Sequence, residues 1–524
     1  MRDDFPQFRA AVEHIPVPHY GTEAPLKQLQ ATAITILDSF SQACFSPVID
    51  CIPVSRVDFV KALDYYQPQF LLLESAWNGN DGAWKHQLVG PTGPKAAVKN
   101  LVAACNDRSI PVVFWNKEDP PHFEDFLPLA RLADHVFTTA GELVDQYKFA
   151  VGHENVHTLP FAAQPSIHHP FADGERDREV CFAGQYFRHK YPERREQMEF
   201  LFPAAAEYDF TIYSRELGND PRYAFPEPFD ELVSGSVPYA LMIREYRHFK
   251  TFLNVNSVVN SKTMCARRIF EISASGATVV SAPSPAIERF YQPDEVFTPN
   301  NLQEAQDTLQ LLLTDEPLRQ KSALKAWRRT MINHTYTNRV DSILHQLGLA
   351  PSSPNIQVAV VIDARGATAD ELRRSAQIVV DTESIAVAHY ILADRSLSLP
   401  DTQTDLQQIT EKEAADLTAT NSVIVASPAA TINNAAFSDI LLAISSHPDK
   451  SPVSKAAFNA LDRPAFSANV VMSPLLWATA AGALPLDTAR MLFETQGGVF
   501  NALDYFNMLD RRQAVPAANS TWEV

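Results

Sequence analysis

Five cysteines in 524 residues (Cys44, Cys51, Cys105, Cys181 and Cys265) form no C-x-x-C pair. That scatter argues against both a disulfide framework and a structural zinc site. No uninterrupted apolar run is long enough to cross a bilayer. No D-x-D occurs anywhere, which weakens the case for a divalent ion held between paired aspartates. Basic residues are in the minority: 44 Lys and Arg face 62 Asp and Glu, a net charge of −18. A nucleic-acid backbone or an anionic membrane is therefore not expected as the dominant partner, although a local basic pocket remains compatible with an acidic chain. The opening residues, MRDDFPQFRAAVEHIP, lack the basic and apolar regions of a signal peptide, so the expected location is cytoplasmic, with peripheral membrane contact left open.

What is present is ample core material. The chain is 46% hydrophobic and 20% charged, globular values for a length that implies two or three domains. Residues 31–38, 68–75 and 110–116 read as buried strands, separated by the helical patterns VDFVKALDYYQ and PKAAVKNLVAACNDRS, with SFSQACFSPVI and KEDPPHFEDF as loops. LARLAD, HVFTTA, GELVDQYK and NVHTLPFA continue the alternation. This is the signature of a parallel, doubly wound sheet. PFAAQPSIHHPFADGERD reads as a hinge, and EVCFAGQ begins a second unit of the same kind, extending to about Leu349. APSSPNIQ is a linker, and VAVVIDARG opens a third α/β unit. The expected domains are 1–170, 171–350 and 355–524.

Within the second unit, residues 254–290 read as strand, polar loop, helix over 265–275, glycine stop at Gly276, and the buried strand ATVVS. A polar loop leading from a strand's carboxyl end into a helix is a common phosphate-holding arrangement in α/β proteins. Arg267 and Arg268 suit a diphosphate, and Glu271, one turn on, suits a ribose diol. The same residues can instead form ion pairs on a solvated helix face. Together they suggest a nucleotide-diphosphate site.

FWNKEDPPHFEDF, DHVFTT, CFAGQYFRHKYPERREQM and NVNSVVNSKTMCARRIFEISASGATVVS resemble, in order and spacing, the CgeB-like (spore-maturation type) glycosyltransferases of the group-1 GT-B superfamily, over roughly residues 32–347. The resemblance implies two Rossmann-like domains facing a cleft and transfer of a sugar, with retention, from a UDP- or GDP-linked donor to a cell-envelope or polysaccharide acceptor, glycan or lipid-linked. It implies no further cofactor and no metal. It places Glu271 as the second carboxylate of an E-x7-E motif, on the ribose; the first falls at Thr263, which is not acidic. Gly184, Arg188 and Lys190 resemble the glycine turn and basic pair near the diphosphate, and Ser261 and Arg268 complete the implied donor side.

On the first-domain side, Glu118, Asp119 and His122 follow the strand VVFWN, where acceptor binding or proton handling is expected if they face the cleft. Asp119 could equally cap the turn before Pro120, with His122 on the surface. Asp38, Trp77, Asn80 and Trp84 lie after two other strands and are candidate acceptor contacts, the tryptophans by stacking or else by packing the loop down. His334 and Tyr336 read as structural. From Gln357 onward the pattern resembles a GT-A transferase domain whose metal position reads Ser427, Pro428, Ala429, with SPLLWATAAGAL as its later helix. This implies a non-catalytic domain used for packing, homo-oligomerisation or acceptor docking. Two other readings stay open: a nucleotide-sugar epimerase, and a non-catalytic nucleotide-sugar-binding scaffold.

Overall fold

A computed structural model describes residues 29–349, except 91–92, 171–175, 216–217 and 219. Beyond these it describes 358–368, 370–373, 388–392, 406–417, 422–426, 430–432, 453–455, 476–479 and 514–516. The fold is α/β. Strands β1 (Thr32–Ile36), β2 (Asp50–Pro53), β3 (Phe70–Glu74), β4 (Val112–Asn116), β5 (His135–Thr138) and β6 (Val156–Thr158) form a six-stranded sheet ordered β2-β1-β3-β4-β5-β6. Every pairing in it is parallel. β3 and β4 are buried along their whole length, which is why they appear in the sequence as unbroken apolar runs and not as alternating ones.

The second unit contains β7 (Arg178–Gly184), β8 (Phe210–Ser214), β9 (Val233–Gly235), β10 (Phe249–Asn254), β11 (Thr278–Ser281) and β12 (Val296–Phe297), ordered β12-β11-β10-β7-β8-β9 and again wholly parallel. The chain winds outward from β7 in one direction, returns to β10, and winds outward in the other. The reversal opens a crevice outside the carboxyl ends of β7 and β10, the place where open α/β sheets bind ligands.

In the first two units three sequence expectations change. SFSQACFSP, read as a loop, holds helix α1 (Ser39–Phe45). Asp38 caps it by accepting from the Ser41 amide at 2.7 Å, and Phe45 packs edge-on to Trp115 and Tyr336 at centroid distances of 5.8 and 4.9 Å. KEDPPHFEDF, also read as a loop, contains the start of a helix over Phe123–Ala130. The helix expected over 265–275 is shorter, Arg268–Ala274, because the preceding backbone is drawn toward the first domain.

The end of the second unit does not stay with it. Helix α2 (Tyr336–Gln346) crosses back and buries Tyr336, Val340, Ile343 and Leu344 against Phe45, Phe70, Val113 and Trp115 of the first domain. The crossing is fastened by Ala163 N to His334 O and Tyr336 N to Ala163 O, both 2.9 Å, and by Arg339, which donates to the carbonyls of Pro160 and Phe161.

In the third unit, β13 (Val358–Asp363), β14 (Ala388–Leu392), β15 (Leu406–Ile409) and β16 (Ser422–Ala426) are parallel; a strand at Leu476–Thr479 joins β16 antiparallel. SPLLWATAAGAL therefore holds a strand where a helix was expected; the cross-strand partners Val425 and Trp477 fix its register. Ser427, Pro428 and Ala429 lie outside the described residues. Among the described residues no helix is long and apolar enough to cross a membrane.

Phe45→Ala removes the ring that α2 rests on and is expected to cost about 3–5 kcal/mol. Urea unfolding followed by tryptophan fluorescence should show the lower midpoint; an unchanged midpoint would show that α2 is not seated through Phe45.

Candidate functional site

Arg194 and Arg268 lie at the carboxyl ends of β7 and β10 in the second unit. Gly184 ends β7, and a Cβ there would lie 3.0 Å from Arg268 Nη1 and 2.7 Å from the Phe182 ring, so the glycine gives Arg268 its place. Arg268 donates to the Ala183 carbonyl. Helix α3 (Pro192–Ala205) brings Arg194, 6% exposed, between the ends of β7 and β10. It donates to Gln185 O at 3.1 Å and to Val255 O and Ser257 Oγ at 3.2 Å, and its buried Nε has no hydrogen-bond partner among the described residues. Burial, then the like charges of Arg268 and Arg215, push the Arg194 guanidinium down to about 9. Burial lowers Arg268 as well. Buried guanidinium bonded only to neutral oxygens, beside two further guanidiniums, is a preformed site of positive potential. Behind it the loop is stiff. Gln197 and Asn256 exchange side-chain-to-backbone bonds at 2.6 and 3.0 Å, and Asn254 and Asn256 tie β10 to Ser281 and Ala282 at the end of β11.

Glu271 follows Arg268 by three residues on the same short helix. It is 1% exposed, on the seam between the first two domains. Oε1 accepts from Arg267 Nε at 2.9 Å and the Tyr239 hydroxyl at 3.1 Å, and Oε2 accepts from the Tyr246 hydroxyl at 3.1 Å. Tyr239 also bonds His168 Nε2 at 2.6 Å, and the Arg267 guanidinium lies 3.2 Å above the Phe40 ring of the first domain. Burial holds His168 down at about 4, so it is neutral at physiological pH. The carboxylate expected on a ribose thus has both oxygens engaged inside the protein. Arg194, Arg215, Tyr239 and Tyr246 were not among the residues singled out from sequence. The two tyrosines are seven apart on one helix (Tyr239–His248), a same-face spacing that could have been noticed.

Arg188 and Lys190 sit on the outer loop. Arg188 donates to the Ala224 and Phe225 carbonyls, and Lys190 lies over the Phe187 and Tyr191 rings at 4.8 and 5.0 Å. Ser261 bonds Glu142 of the first domain at 2.9 Å. Thr263 donates to Thr139 O at 2.8 Å and accepts from Gly141 N at 2.7 Å. A carboxylate at position 263 could not donate to that carbonyl.

In the first domain, Lys117 is buried between Asp38 and Glu74, with Glu74 Oε1 at 3.3 Å. Two carboxylates share one ammonium, and burial pushes the deeper Glu74 up to about 7. Burial raises Asp38, but Lys117, the Ser41 amide and Arg267 together outweigh it and hold the carboxyl below its usual range. Asp119 is fully buried and does not reach the crevice; it accepts from Asn116, Thr138 and Tyr147, and burial raises it to about 7. Glu118 is half-buried, its amide bonded to Ser75 Oγ at 3.3 Å. His122 bonds Asp125 at 2.8 Å and meets Trp77 edge-on at 5.3 Å. Trp77 is 39% exposed and also meets Phe126 edge-on at 5.2 Å. Trp84 is buried and donates to Val54 O at 2.7 Å. Asn80 braces the ends of β1 and β2 through Leu37 N, Thr35 O and Val54 O. It also lines a cavity of about 500 Å³ with Ser39, Gln42, Ser55, Asp58 and Asp81. Among the described residues no group of three or more His, Cys, Asp or Glu is arranged to hold a metal ion.

Residues 194–345 match a family described as Glycosyl transferase-like. No curated protein matches the chain. Similar solved structures include a glycosyltransferase from Rickettsia africae (12% identity, 60% of this chain and 88% of that one, TM-score 0.39). Anabaena Alr3699/HepE in complex with UDP-glucose is another (13%, 60% and 91%, TM-score 0.40). A third is a UDP-N-acetylglucosamine 2-epimerase, so described provisionally, from Listeria monocytogenes (8%, 60% and 95%, TM-score 0.36). Likeness this slight bears on neither the activity nor the substrate of this chain.

Glu74, raised from 4.5 to about 7 in the folded protein, contributes stability in full below 4.5 and loses it as pH rises through about 7. Glu74→Gln removes that slope, worth on the order of 2–3 kcal/mol. Melting temperatures at pH 5 and pH 8 should lie closer together in the variant than in the unaltered protein; an equal gap would show that Glu74 ionises normally.

Proposed function

We propose that the protein is a glycosyltransferase that moves a sugar from a nucleoside-diphosphate donor, UDP- or GDP-linked, to a glycan or lipid-linked acceptor. The observation that carries this reading is the arginine-lined crevice at the β7/β10 reversal, with Arg194 buried on neutral oxygens beside Arg268 and Arg215. The family match over 194–345 and the paired parallel sheets, the GT-B arrangement, support it.

In this reading the bond from the anomeric carbon to the diphosphate oxygen breaks while a bond to an acceptor hydroxyl oxygen forms. Negative charge grows on the departing diphosphate, and the guanidiniums are placed to stabilise it without a metal or further cofactor. In a retaining, front-face route the acceptor proton passes to the departing phosphate oxygen, so the protein supplies position and field. The Trp77–His122 face and the Asn80-lined cavity are the acceptor side. The strand order of the third unit, β15-β14-β13-β16 with an antiparallel strand beyond, supports a GT-A-like domain for packing, oligomerisation or acceptor docking. A second reading, a scaffold that binds nucleotide sugar without turnover, is favoured by the engaged oxygens of Glu271 and the hydroxyl at Thr263.

Calorimetric titration with UDP, GDP and their sugars is expected to show binding that Arg268→Ala weakens at least tenfold, roughly the worth of one charge-assisted bond. Unchanged affinity in that variant would sink the site. Donor consumption with added acceptor separates the transferase from the scaffold, which binds and does not turn over.

A further inference from the structure

The loop that leads to the crevice arginines is held by the first domain. Thr263 Oγ1 donates to Thr139 O and accepts from Gly141 N, at 2.8 and 2.7 Å, a two-way link that requires a hydroxyl. Ser261 Oγ donates to Glu142 Oε2 at 2.9 Å and accepts from the amides of Thr263 and Met264 at 3.3 and 3.0 Å, so it orders the loop and anchors it at once. The approach is close: a Cβ on Gly141 would lie 3.0 Å from Thr158 Oγ1 and 3.2 Å from Thr263 Oγ1. The receiving turn is stiff in its own right. Thr138 Oγ1 accepts from Ala140 N at 3.0 Å and donates to the buried Asp119 at 2.5 Å. A chain of hydrogen bonds therefore runs from the first domain's core, through Asp119, Thr138 and the 139–142 turn, to Thr263.

We propose that Thr263, aided by Ser261, is a positioning residue through which the first domain presets Arg268 for the diphosphate of the ligand. The inference rests on the nucleotide reading above. Four residues lie between Thr263 and Arg268, and the backbone between them enters a helix whose first residue is Arg268 itself. With the loop held, the guanidinium reaches the crevice already ordered, and the ligand does not have to supply that ordering on binding.

The full chain is titrated with UDP and GDP, and amide hydrogen exchange is followed at Gly141. Thr263→Val keeps the shape and removes the hydroxyl; it is expected to weaken nucleotide affinity about tenfold and to speed exchange at Gly141. Thr263→Ser, which restores the hydroxyl, should return both readouts to within about twofold of the unaltered protein. Ser261→Ala, a second and smaller change, should weaken affinity in the same direction if Thr263→Val fails to fold. Unaltered nucleotide affinity in folded Thr263→Val or Ser261→Ala overturns the positioning role, while loss of binding in Arg268→Ala would leave the nucleotide reading standing. If the unaltered protein binds neither UDP nor GDP, the nucleotide reading falls and the positioning role falls with it.

Discussion

A single buried carboxylate holds the working parts of this molecule in register. Glu271 accepts from Arg267, Tyr239 and Tyr246, and Arg267 in turn lies flat on Phe40 of the first domain. A buried charge is costly unless it is paired and hydrogen-bonded; here Arg267 pairs from the preceding turn, and the two tyrosines come from a second helix that must be docked for their bonds to exist. The seam and the second domain's helix packing are thus one cooperative unit. Adjacent residues on one short helix then divide the labour: Arg267 turns to the seam, and Arg268 turns to the crevice at Gly184.

The two domains differ in electrostatic character. In the second domain guanidiniums gather around carbonyls, so the site is poised for an anion inside a chain whose net charge is −18. In the first domain two carboxylates share Lys117, and beside them lie an exposed indole and a cavity lined by hydroxyls, amides and carboxylates. The domains meet along contacts that include the Thr263 clasp and the returning helix α2.

Much of the fold was legible because its strands are buried on both faces. FLLLE and VVFWN announce themselves, and their alternation with amphipathic helices leads to parallel sheets. Helix α1 was not legible: SFSQACF has little apolar periodicity, and its helicity comes from the Asp38 cap and from the seat that Trp115 and Tyr336 make for Phe45. The charged groups at the β7/β10 reversal were legible only in part. Arg268 and Gly184, singled out for their place after strands, do meet in the structure, whereas Arg194 stood in ERRE, a run that looks like a solvated helix face, and is buried. Asp119 and Trp84 have the chemistry of site residues and are buried in the core, because a side chain's type says what it can do and only packing says which way it points.

The sequence by itself determined the α/β class and the succession of parallel units, since burial periodicity and the order of elements are local properties of the chain. Tertiary structure alone decided which charges meet. That Glu271 serves the seam, that Arg194 lies buried between β7 and β10, and that Thr263 clasps the first domain all depend on segments far apart in sequence brought within hydrogen-bond reach. A hydrogen bond or a desolvated charge is a matter of a few ångströms, and no local pattern in the chain specifies a distance between remote segments.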